Sequence, residues 1–181
     1  EGKFVLMRRS SDISQDGDYV PAPQVGKHDD PRFGTHHARD AWHLFQTLGY
    51  DLPIFSSAIK LNTQYMHCLW FNLRLKERIT LNAVIQRLQE NRRVALTEKK
   101  SANQVFSYGR DHGHFGRILS QTVVPLRSLH VSGDHEVVGF AFTPQDGNSL
   151  LSSVAVTSWF FDPKNYNQAL DCLRPFMFQE L

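Results

Sequence analysis

Cysteine is nearly absent: the chain has two, Cys68 and Cys172. They are too few for a disulfide framework and fit no metal-ligand spacing. With no secretory signal they point to a reducing compartment, and so to the cytoplasm. The opening stretch, EGKFVLMRRSSD, has too short an apolar run for a signal peptide, and arginines follow it. It lacks an initiator methionine, so a processed or truncated chain is expected. No apolar run is long enough to cross a bilayer. An excess of one charge is missing too: 20 Lys and Arg face 18 Asp and Glu, a net charge of +2. That balance makes no case for a nucleic-acid or membrane partner. Neither GxGxxG nor GxxxxGK[ST] occurs, so no nucleotide-binding half is expected in these residues. No G-x-S-x-G occurs, which leaves Ser/His/Asp hydrolysis without support. There is no internal repeat.

What is there suits one catalytic-type domain spanning residues 1–181, with 41% hydrophobic residues. KFVLM, Lys3 to Met7, reads as a strand. Ser10 to Thr35 is rich in Ser, Asp, Gly and Pro and reads as a long loop. His36 to Gly49 reads as a helix, with Ala38, Trp42, Phe45 and Leu48 on one face and Gly49 at its end. Two strands follow, Pro53–Leu61 and Gln64–Leu75, close enough to suggest a hairpin. Thr80 should cap a helix with an apolar stripe of Leu81, Val84, Ile85 and Leu88. Arg92–Glu98 reads as a strand and Ser101–Asp111 as a short helix. Strands are then expected at Gln121–Leu126, Ser128–Val131, Glu136–Thr143 and Ser152–Thr157. A last helix should start at Asp162 and Pro163 and stop or kink at Pro175. The expected class is α+β: a large, mostly antiparallel or mixed sheet with three or four helices on one face.

Four clusters could carry chemistry. Arg8-Arg9 follows a strand, either as a solvated edge or as a guanidinium fork for an anion. His36-His37 stands at a helix start, where free backbone N–H groups and a partial positive charge favour anions. The alternative is a surface pair without a role. His67 lies on the more apolar face of its strand, with Tyr65, Leu69, Phe71, Leu73 and Leu75. A histidine there is either a bonded core residue or a group facing a pocket. In FSYGRDHGHFGR, Phe106 to Arg117, His112 and His114 lack a third ligand at a recognisable spacing, so no metal is expected. Its glycines at 109, 113 and 116 read as turn punctuation.

Taken in order, these segments resemble the catalytic domain of the archaeal-type (type II) glyceraldehyde-3-phosphate dehydrogenases. FVLMRRSSD resembles that family's strand ending in a double arginine. FGTHHARDAW resembles its double-histidine turn, SSAIKLNTQYMHCLWFNLRL its Met-His strand pair, and VFSYGRDHGHFGR its Tyr-Gly-Arg-Asp segment. NQALDCLRPF is similar to its closing helix. The resemblance implies a C-terminal-domain-like mixed sheet and phosphorylating aldehyde oxidation. It implies NAD or NADP, held mainly by a nucleotide-binding half that is not in this chain. His67 matches the catalytic base, and Arg8, Arg9, His36 and His37 match positions that hold substrate and inorganic phosphate. Expected partners are a phosphorylated small molecule, phosphate, and either a homo-oligomer or the nucleotide-binding half. Three departures stand out. The family's nucleophilic cysteine precedes the double arginine, outside these residues. Ala38-Arg39-Asp40 replaces Gly-Pro-Asp. An insertion falls at Thr143 to Ser153. The alternative is a non-catalytic binding or oligomerisation module derived from that domain.

Overall fold

The computed structural model describes residues 1–10, 20–63, 65–112 and 120–181, with 145–149 described by their backbone alone. Eight strands form one mixed sheet: β1 (Gly2–Arg8), β2 (Gln24–Val25), β3 (Ile54–Lys60), β4 (His67–Arg74), β5 (Val94–Thr97), β6 (Thr122–Pro125), β7 (His130–Ser132) and β8 (Glu136–Thr143). Their order is β2-β3-β1-β4-β8-β6-β5, with β7 also paired to β8. β1 runs parallel to β3 and β5 parallel to β6; the other pairs are antiparallel. The helices are α1 (His36–Gln46), α2 (Leu81–Glu90), α3 (Ala102–His112), α4 (Gln145–Phe161) and α5 (Tyr166–Ala169). The α+β class and the large mixed sheet are therefore as expected.

The expected hairpin of the third and fourth strands does not form. β1 lies between them, parallel to β3 and antiparallel to β4. The reason is visible in FVLM: an apolar run without alternation suits an inner strand with both faces covered. The connection 61–66 crosses two strand spacings, about 10 Å, well within reach of six residues. Both parallel pairs have a helix in their crossover, α1 for β1 and β3, α3 for β5 and β6.

The helices do not all cover one face. Ala95, Val123 and Phe142 share a buried cluster with Val105 of α3. Their neighbours Leu96, Val124 and Ala141 share another with Val84 of α2. Successive strand residues point to opposite faces, so α2 and α3 flank the sheet on both sides. VALT and TVVP are apolar at both parities, and such strands need cover on both faces.

Ser152–Thr157 is helical, within α4, where a strand was expected. Among the described side chains of α4, Leu151 and Ala155, four residues apart, are the buried positions. That spacing is helical, whereas the short SSVAVT run by itself alternates like a strand. Helix ends follow the sequence more closely. The Thr80 hydroxyl accepts the Ala83 N–H at 3.2 Å, and Gly49 adopts φ +77° after α1. The α1 stripe is buried only at its start: Ala38 is buried, while Phe45 and Leu48 are exposed. Asp162 ends α4, and its carboxylate accepts the N–H groups of Lys164 and Asn165 at 3.2 Å each. The last segment is α5 followed by a 3₁₀ helix, Leu170–Phe176, with Pro175 near its end.

Candidate functional site

The start of α1 is fixed against the middle of β3. One Asp30 carboxylate oxygen accepts the N–H groups of Arg32 and Phe33, at 3.0 and 2.9 Å. Ser56 of β3 donates its N–H to the Phe33 carbonyl at 3.0 Å. Gly34 turns the chain at φ +75°, where a Cβ would stand 2.3 Å from the Ser56 carbonyl oxygen. Thr35, the N-cap, does not cap with its own side chain. Its hydroxyl lies 2.6 Å from that of Ser56, which accepts the Ala38 N–H at 3.2 Å. A strand hydroxyl thus serves as the helix cap. The first-turn N–H groups of His36 and His37 have no hydrogen-bond partner among the described residues, as is usual for a helix start.

Register places the other candidates nearby. Phe4 pairs with Ser56 on one side and Phe71 on the other, and Leu6 pairs with Leu69. Paired residues share a face, and the alternation carries Arg8 and His67 onto that same face. It is the face that receives α1. Arg8 also pairs with Lys60. The His36 and His37 rings lie against each other, tilted by 41°, with centroids 3.9 Å apart. The His37 Nε2 atom is buried without a hydrogen-bond partner among the described residues. Burial chiefly, then the charges of His36 and Arg8, and to a lesser degree His67, push the His37 imidazole down to about 4, against a smaller opposing pull from Asp40. Residues from β1, α1 and β4 therefore act on one spot.

The two arginines differ. Arg8 is exposed and Arg9 is buried. The Arg9 backbone N–H donates to His67 Nδ1 at 3.1 Å. A ring nitrogen that accepts carries no hydrogen, so neutral His67 holds its proton on Nε2. Removing a proton from a thiol through Nε2 would require the other tautomer, with two N–H groups facing each other at Arg9.

His37 gives this site a pH signature. Its folded-state value lies below the ordinary 6.5, so the unfolded chain binds the proton more tightly. Stability should be complete above about pH 6.5 and fall as pH drops toward 4. With the ring partly open to solvent, the loss is about 1–2 kcal/mol. Urea melts between pH 7.5 and 4 should show it, and His37→Gln should remove most of it. An unchanged slope in that variant would place the titration elsewhere.

Cys68 does not join the site. It pairs with Met7 and Phe142 on the opposite face and packs against the α3 cluster. Burial pushes its thiol up to about 11, so it stays protonated and inert at neutral pH. Cys172 is exposed and donates its S–H to the Ala169 carbonyl at 3.1 Å. His112 stacks on Tyr108, away from the cluster. Gly113, His114, Gly116 and Arg117 lie outside the described residues. Among the described residues, no group of three or more His, Cys, Asp or Glu is placed to hold a metal ion. Among the described residues, the glycines with positive φ are Gly34, Gly49 and Gly133, found before α1, after α1 and between β7 and β8.

Sequence reading missed Thr35, Ser56 and Lys60 as parts of this site. Ser56 had one signal, a small polar residue inside IFSSAIK at a position that should be apolar. Comparison with protein-family models and with curated proteins finds no match.

Proposed function

We propose that the chain is the catalytic-domain portion of an NAD(P)-dependent, phosphorylating glyceraldehyde-3-phosphate dehydrogenase. In this reading the cluster of Arg8, His36, His37 and His67 receives the phosphorylated substrate and inorganic phosphate. One observation carries it: three segments far apart in sequence, each resembling a motif of that family, meet on one sheet face. The cluster is rich in donors and cations and lies at a helix start, which suits a tetrahedral oxyanion. His67 would donate through Nε2 to the aldehyde oxygen and steady the charge that develops there when a thiolate adds to the carbon. Buried Arg9 would hold His67 through its backbone. The thiolate and the dinucleotide would come from a nucleotide-binding half other than these 181 residues. Assembly with that half, or as a homo-oligomer, belongs to the same reading, as does a cytoplasmic setting.

A second reading keeps the anion site without catalysis, as a binding or assembly module. The buried, opposite-facing Cys68 favours it, since that thiol does not face the cluster. Both readings require the anion site. Titrating the chain with millimolar phosphate should shift the amide signals of His36 and His37 and the side-chain signals of Arg8. Shifts confined to other regions, or none, would remove the basis for both.

A further inference from the structure

We infer that anion binding at this site is coupled to proton uptake by His37, so that the ligand enters as one anion plus one proton. The inference rests on reading the cluster as an anion site. Its geometric basis is the His37 Nε2 atom, buried and without a hydrogen-bond partner among the described residues. A buried ring nitrogen normally finds one. The ring lies against His36, at 3.9 Å between centroids. It is also influenced by Arg8 from β1, by His67 from β4 and by Asp40 from its own helix. Of these neighbours only Asp40 is acidic. A second positive charge among these groups is disfavoured while the site is empty, which agrees with the depressed titration of the ring.

An oxyanion reverses this. It supplies a counter-charge for the imidazolium, whose buried Nε2 has no partner among the described residues. Whatever the anion adds to the proton's affinity, the proton adds to the anion's. The ligand class is a tetrahedral oxyanion such as a phosphate monoester, held more tightly as pH falls. His37 then sets the charge of the site to match that of its ligand.

Sulfate is the suitable probe, because it keeps both charges across the working range and any proton taken up belongs to the protein. Calorimetry of the whole chain at pH 6, in two buffers of different ionisation heat, should give an uptake approaching one proton per sulfate. Affinity should fall by up to about tenfold per pH unit above that. His37→Gln removes the titrating ring but keeps a polar end; it should bind sulfate with little uptake and a flattened pH dependence. His36→Gln should retain the uptake. The imidazole ¹⁵N signals of the unsubstituted chain give the same answer without relying on a variant: His37 should change from the neutral to the doubly protonated pattern as sulfate is added. Sulfate binding with equal heats in both buffers would overturn the coupling and leave the anion site standing. Undiminished uptake in folded His37→Gln would also overturn it. Absence of any sulfate binding, with no shift at His36 or His37, would overturn the coupling and the site together.

Discussion

Gly34→Ala is expected to lower stability by about 2–4 kcal/mol and to abolish phosphate binding at the start of α1. Two effects add. The backbone sits at φ +75°, which a Cβ disfavours. That Cβ would also lie 2.3 Å from the Ser56 carbonyl oxygen and 2.8 Å from the Phe55 ring. Relief requires moving the chain away from β3, which pulls Thr35 from Ser56 and the first turn of α1 from Arg8 and His67. Gly49→Ala is the control. It has nearly the same φ, +77°, but a Cβ there meets nothing within 4 Å. Its cost should be near 1–2 kcal/mol, with binding intact. Chemical denaturation and phosphate titration of both variants separate strain from close approach. Equal losses would mean that the contact with β3 does not position the site.

His67→Asn should lower turnover about 10²–10³-fold once the chain is joined to a nucleotide-binding half that carries the thiol. The choice of asparagine follows from the hydrogen bond. Its side-chain oxygen can stand where Nδ1 accepts the Arg9 N–H at 3.1 Å, while the Nε2 donor disappears. The folding cost should stay near 1 kcal/mol. His67→Ala would strand a partly buried N–H and cost about 1–3 kcal/mol. A core histidine without chemistry gives the reverse pattern for Asn: stability falls, and the folded fraction turns over normally. Turnover and unfolding midpoint measured on one preparation distinguish the two.

The sequence signals that held were local and chemical. Thr80 caps its helix because a hydroxyl before an apolar stripe has few better uses. His36-His37 begins a helix, and His67 begins a strand. What local reading misjudged was set by distant partners. The order β3-β1-β4 depends on where FVLM finds two neighbours, and nothing between Pro53 and Leu75 says that another strand enters between them. Ser152–Thr157 has the composition of a strand, but Leu151 and Ala155 bury a helical stripe. The site was legible as residue types, not as a geometry. Ser56 became its helix cap only through a contact across 18 residues. The His67 tautomer depends on one amide, that of Arg9, 58 residues away. No pattern in the sequence encodes which ring nitrogen that amide meets.

The proposed function requires that the cluster take a triose through its phosphate. The direct measurement is a pair of NMR titrations of the chain, with glyceraldehyde 3-phosphate and with unphosphorylated glyceraldehyde, reading His36, His37, His67 and Arg8. The phosphorylated triose should shift all four, in competition with inorganic phosphate, and glyceraldehyde should leave them unmoved. Equal responses to both sugars, or a response to the phosphate ester that inorganic phosphate cannot displace and that bypasses His36 and His37, would contradict the assignment.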